Sequence, residues 1–226
     1  MSRTVGIAIF VAIAGLIGFA SYHFGSNSML EAEANDAKKT AETAAVKKNP
    51  LHSIQDDEAV VGDPKASITI IEYASLSCPH CKAFHEKVLP ELKSKYIDKG
   101  IAKLAFRHFP LNEPALRAAM LVECVGKDRA SKFVDVLFEL QDKWAFEGDF
   151  VANIQKIAAV GGISQEQFSA CMTNTALEEK IIKARKDATD QLNLQGTPSF
   201  FVNGVEISGK VTMESFDRVI KDLRDK

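Results

Sequence analysis

The chain has 226 residues, 46% of them hydrophobic and 26% charged, with a formal net charge of −2. That balance is ordinary for a globular protein, and it excludes both a highly charged disordered chain and a basic nucleic-acid binder. Four cysteines make the compartment of the protein the next question.

Residues Val5 to Ala20 form an uncharged, mainly apolar run, and no charged residue falls between Arg3 and Glu31. A bilayer span takes about 17–25 residues, a length that residues 5–24 reach together. Residues 1–25 are therefore expected to be a membrane anchor, with Arg3 on the cytoplasmic side. The alternative is a cleaved signal peptide with Gly18-Phe19-Ala20 as its small-x-small site. Both readings send the rest of the chain to an oxidising compartment, where disulfides persist. Residues 26–56 read as a tether. Leu30 to Lys48 is rich in Ala, Glu and Lys, so its helix propensity is high. Its mostly alanine face buries little, which makes it a solvated spacer or a weak self-association helix through residues 30–48. Pro50 ends the stretch.

From Asp57 the pattern becomes globular. Val60-Val61 is expected as a short edge strand and Gly62-Asp63-Pro64 as a turn. Ile68 to Tyr73 is apolar on both faces, as a central strand covered on both sides should be. Glu72 inside that run is the exception. A buried carboxylate without a partner has a raised pKa and can exchange a proton with a nearby thiol; the alternative is an outward-facing residue with no role. After a short polar break, Cys78-Pro79-His80-Cys81 opens a helical pattern. Backbone N–H groups in a helix's first turn lack intrahelical partners, and the peptide dipoles add about half a positive charge there. A thiolate at Cys78 sits in that field, so its pKa should fall below the free value of about 8.5. Pro79 suits the first helical position. His80, when protonated, adds positive charge beside the sulfur. Cys81, one turn on, should be more buried and able to close a disulfide with Cys78. The helix is expected to run from Cys78 to about Asp98, with Ala83, Phe84, Val88, Leu92 and Tyr96 on one face and a kink at Pro90. His85 is expected at the surface. Gly100 closes the helix, and Ile101 to Phe109 is the next strand.

Two bland readings of the dithiol compete with a reactive one. Half of a zinc site lacks its other half, since no second Cys-x-x-Cys or His-x-x-x-His appears, and no metal is expected. A purely structural bridge two residues apart closes a small, strained ring, which favours exchange over permanence.

Residues 112–193 change character. Glu113-Pro114 starts a helix. Ala115 to Val125, Ala130 to Leu140, Gly148 to Val160, Ser164 to Met172 and Thr175 to about Leu192 each read as helices, and Ser164 with Gln167 makes a capping box. Cys124 and Cys171 fall here. In an exported chain an even remainder of two cysteines suggests one bridge; two free buried thiols are the alternative. Residues 194–226 return to strand periodicity. Phe200-Phe-Val, Asn203-Gly204 and Val205-Glu-Ile make a hairpin. Thr212 caps a final helix to about Leu223, with Phe216, Val219, Ile220 and Leu223 on its buried face.

Three of these features together resemble the DsbA family of thioredoxin-fold thiol:disulfide oxidoreductases: Cys78-Pro79-His80-Cys81 after an apolar strand, Glu72 six residues before it, and Thr197-Pro198 leading Ser-Phe-Phe-Val-Asn-Gly. The resemblance runs from about Asp57 to the C-terminus. It implies an α/β thioredoxin fold split into residues 57–111 and 194–226, with residues 112–193 as an inserted all-helical domain over the dithiol. It implies that Cys78 and Cys81 form the redox-active disulfide, with no other cofactor, and that Glu72 serves Cys81. It also implies that Pro198 follows a cis bond, so that Thr197 and Pro198 face an extended substrate, where sequence alone leaves trans open. A structural bridge between Cys124 and Cys171 resembles that of alphaproteobacterial members. The implied location is the periplasm. The implied partners are reduced exported proteins and a quinone-linked membrane protein of the DsbB type. Thr197 keeps a disulfide isomerase or reductase open as an alternative to an oxidase, beside a membrane-tethered, chaperone-like surface protein.

Overall fold

In the computed structural model, residues 49–146 and 148–225 are described. The anchor or signal reading of residues 5–24 and the self-association reading of 30–48 lie outside them.

Five strands form one mixed sheet: β1 (Val60–Val61), β2 (Ile68–Ala74), β3 (Ala102–His108), β4 (Ser199–Val202) and β5 (Val205–Glu206), in the spatial order β1-β3-β2-β4-β5. The β2 and β3 strands run parallel, with Glu72 opposite Phe106, and the other pairs are antiparallel. Because β2 lies at the centre with layers on both faces, it is apolar throughout except at Thr69 and Glu72, and Ile70, Ile71 and Ala74 are fully buried. Asn203 and Gly204 have positive φ at the hairpin that follows β4, as that two-residue turn requires. The Asn203 side chain also accepts a hydrogen bond from the Thr69 N–H at 2.7 Å.

The cysteine-bearing helix α1 (Pro79–Lys87) is shorter than expected; after Val88 come a four-residue turn, α2 (Leu89–Leu92), and a π turn over Lys93–Ile97. Pro90 in the first turn of α2 explains the break, since it offers no N–H to the turn before it. Between β3 and β4 lie α3 (Glu113–Cys124), α4 (Lys127–Glu139), α5 (Gln141–Trp144), α6 (Phe150–Val160), α7 (Gln165–Met172) and α8 (Thr175–Leu192); α9 (Met213–Arg224) ends the described chain. At four residues, α5 is too short to show a helical period.

Two large apolar clusters result. Ile70, Leu104 and Phe200 of the sheet pack with Phe84 of α1 and with Phe216 and Ile220 of α9. Further along the same face, beyond the ends of β2 and β3, Leu121, Phe133, Leu137, Phe138, Trp144, Ile154 and Phe168 from the inserted helices pack together with Leu76, Cys78 and Cys81. The dithiol therefore lies where the helical layer meets the sheet.

The tether reading of residues 26–56 needs one correction. Asn49 caps a 3-10 turn over Pro50–His52, and the segment is fastened to the sheet. Arg107 of β3 donates to the Leu51 and Ser53 carbonyls at 2.7 and 2.6 Å and pairs with Glu58 at 2.5 Å, while the Tyr73 hydroxyl donates to the Leu51 carbonyl at 3.1 Å. A half-buried guanidinium needs acceptors for its donors, and residues 49–58 supply them.

Candidate dithiol active site

Cys78 is the N-cap of α1, in extended backbone, with Pro79 at the first helical position. The strand-to-helix joint is held from several sides. The Cys78 N–H donates to the Ser75 carbonyl at 2.9 Å. Gln141, on α5, donates from its side chain to the Leu76 and Cys78 carbonyls at 2.7 and 3.1 Å. Ser77 donates to Asn112 at 2.9 Å, and Asn112 in turn caps α3. The Cys78 Sγ lies 3.4 Å from the Thr197 carbonyl oxygen, to which it donates only in its thiol form, and the Thr197–Pro198 bond is cis. Strand, helix start and the loop before β4 thus converge on one sulfur. Cys78 is 6% exposed and Cys81 fully buried, and both are free thiols.

Their environments drive the two thiols apart. The Cys78 pKa is brought down to about 5, first by a hydrogen bond from the Cys81 thiol, then, against burial, by the Thr197 side chain and the backbone N–H groups of Cys81 and His80. The Cys81 thiol is pushed far up, first by burial, then by its hydrogen bond to Cys78 and by the charges of Glu72 and Cys78. At neutral pH the pair is an anionic Cys78 beside a protonated Cys81.

Residues 54–222 match the family described as thioredoxin. Wolbachia pipientis alpha-DsbA1 superposes with a TM-score of 0.69 at 35% identity, over 75% of this chain and 92% of that one. A Rickettsia felis protein provisionally named a protein-disulfide oxidoreductase is 30% identical over 85% of this chain and 75% of its own length. Disulfide bond formation protein D of Bacillus subtilis is 27% identical over 74% of this chain and 72% of its own. The chain belongs to the DsbA family.

This DsbA-family protein is a thiol:disulfide oxidoreductase whose redox centre is a cysteine pair. Glu72 is fully buried, and its Oε2 lies 3.0 Å from His85 Nε2. Pro79 and His80 are exposed; residue 80 acts on the sulfur through its backbone N–H, while its ring faces solvent. His85 corrects the expectation of a surface residue, for its side chain is 8% exposed and lies against Phe138, with ring centres 4.3 Å apart. Its spacing from Cys81, four residues along one helix, was the signal available in the sequence. Gln141 carried no signal, because its helix is too short to read. Cys124 and Cys171 are bonded, with Cα atoms 6.0 Å apart, and join α3 to α7.

The low Cys78 pKa makes stability depend on pH. An acid whose pKa is depressed by folding stabilises the native state above its unfolded value, about 8.5, and this is lost as pH falls through about 5. At pH 7 the shift is worth about 3 kcal/mol at most, and solvent screening at the partly open site reduces it to about 1–2 kcal/mol. The disulfide form lacks this thiolate. The stability of reduced over oxidised protein, from urea unfolding, should therefore drop by about that much between neutral pH and pH 4. A constant difference would contradict an anionic Cys78.

Proposed function

We propose that this DsbA-family protein donates its Cys78–Cys81 disulfide to reduced proteins outside the cytoplasm. A client thiolate attacks the Cys78 sulfur. The Cys78–Cys81 bond breaks, and a mixed disulfide forms beside the backbone of Thr197 and Pro198. A second client thiolate then attacks the client sulfur and releases Cys78 as a thiolate. Glu72 exchanges the proton of Cys81, and the backbone N–H groups of His80 and Cys81 stabilise the Cys78 anion. One observation carries the donor direction: Cys78 caps the N-terminus of α1, where the Cys81 thiol and the backbone N–H groups bring its pKa down to about 5. A stabilised thiolate stabilises the reduced form, which raises the oxidising power of the disulfide. The uncharged run at residues 5–20 and the Cys124–Cys171 bond support a periplasmic site, tethered or released. Membership of the DsbA family supports reduced proteins as clients and a DsbB-type quinone-linked protein as the reoxidant.

The deciding measurement is the reduction potential of the Cys78/Cys81 pair, by equilibration with glutathione. It is expected well above that of thioredoxin, about −270 mV. A value at or below that figure would make the protein a reductase. Thr197 is the feature that favours isomerisation as the second reading, and the signature of that reading would be faster rearrangement of scrambled disulfides than oxidation of reduced clients.

A further inference from the structure

The donor reading leaves one step without a proton source. When a client thiolate attacks Cys78, the electron pair of the broken S–S bond leaves on the Cys81 sulfur. That sulfur is fully buried and strongly basic, so its departure as a bare anion is unfavourable. Glu72 is the nearby acid, but it too is fully buried, and a buried carboxylate has no direct supply of protons. Among the described residues its only hydrogen-bond partner is His85, 3.0 Å from Oε2, and Oε1 has none.

The surroundings of His85 are those of a conduit. From β2 it meets Glu72. From α4 it meets Asp135, whose Oδ1 lies 3.7 Å from Nδ1. The other faces are rings: Phe84 of its own helix, Phe106 of β3 and Phe138 of α4. Glu72 and Asp135 are the charged groups facing it. Asp135 is 61% exposed while Glu72 is fully buried, so the imidazole bridges a solvated carboxylate and a sealed one. Phe106, opposite Glu72 in the β2–β3 register, brings no charge, which leaves the cation beside Glu72 to α1.

We propose that His85 is a positioning residue that supplies, through Glu72, the proton which neutralises the departing Cys81 thiolate, and is itself resupplied from solvent past Asp135. The inference rests on the donor reading of the site. In the step, the client–Cys78 bond forms and the Cys78–Cys81 bond breaks. Glu72 gives a proton to the Cys81 sulfur and receives one from His85 Nε2. The carboxylate is unchanged, the imidazolium becomes imidazole, and one proton is drawn from solvent per client thiolate consumed. Burial opposes charge on His85, but the Glu72 charge, the hydrogen bond to Glu72 and the Asp135 carboxylate 3.7 Å away outweigh it and bring its pKa up to about 9. The donor form is therefore the one present at neutral pH.

The test is the pH profile of the single-turnover reaction of oxidised protein with dithiothreitol, expressed per thiolate and followed by the fluorescence of Trp144. That residue is the only tryptophan and is buried in the same cluster as the dithiol. The wild-type rate should be flat at neutral pH and fall about tenfold as pH rises through about 9. His85→Gln can still hydrogen-bond Glu72 but carries no exchangeable charge; it should react about tenfold more slowly at neutral pH and lose the alkaline fall. Asp135→Asn, at an exposed position, should move the fall to lower pH. A His85→Gln protein with wild-type rate and profile would overturn the proposal. So would a wild-type profile without the alkaline fall, a result that stands even when His85→Gln fails to fold. A fall preserved in Glu72→Gln would likewise overturn the route through Glu72. A thioredoxin-like reduction potential is a separate failure, that of the donor reading.

Discussion

Cys81→Ala is expected to abolish turnover while leaving a reactive Cys78 that accumulates as a covalent adduct, and Cys78→Ala is expected to abolish both. The asymmetry follows from the two environments. Cys78 is the sulfur with a thiolate near neutral pH, the greater exposure of the two at 6%, and N–H groups aimed at it. Cys81 is sealed, and its thiol is held protonated by burial first and by the Cys78 and Glu72 charges after that. Without Cys81 no second thiol lies within reach of a disulfide on Cys78. A well-placed intramolecular group reaches an effective concentration of about 10⁵ M or more, so a millimolar external thiol in its place should cost at least about a thousandfold. Mass spectrometry after exposure to oxidised glutathione reads the result: a stable adduct on Cys81→Ala and none on Cys78→Ala. The reverse pattern would reassign the nucleophile.

Replacing both Cys124 and Cys171 by alanine is expected to cost stability rather than chemistry. The bond closes a loop of 47 positions, for which chain entropy predicts about 4 kcal/mol, in a model that attributes the whole effect to the unfolded state. Any packing lost with it comes from Cys171, which is buried, since Cys124 is exposed. In a domain of this size about 4 kcal/mol lowers Tm by about 10 °C. The double substitution is the proper variant, because a single one leaves a thiol free to exchange with the active-site pair. Calorimetry with Cys78 and Cys81 kept reduced measures the effect, and an unchanged Tm would mean the bond constrains nothing the fold does not already hold.

The sheet and helices were largely legible because their signals are periodic and local. Ile68 to Tyr73 reads as a central strand from its unbroken apolar character, and Ser164 with Gln167 announces a helix start that the capping box of α7 shows. Asn203-Gly204 names its own turn. What escaped notice was short or held from afar. Four residues, Gln141 to Trp144, are too few for a period, yet the Gln141 side chain holds the carbonyls on either side of Ser77. Residues 49–56 look like a linker because their part in the fold is to offer two carbonyls to Arg107, and carbonyls leave no trace in sequence. His85 looks like a surface residue because its neighbour Lys82 and Glu86, one place on, are polar.

The amino-acid sequence by itself determined the local field in which the Cys78 sulfur sits. A thiol at the start of a helix feels N–H groups two and three residues away, and that field is present wherever such a helix forms. Only the tertiary structure decided what surrounds it. The Thr197 carbonyl comes to Cys78 across 119 positions and Gln141 to Leu76 across 65. The burial that raises the Cys81 thiol exists only once the inserted helices cover it. So does the pairing of Glu72 with an imidazole from the next element. Charge–charge interactions of this kind grow as water is excluded, and water is excluded by packing, which no stretch of chain achieves alone.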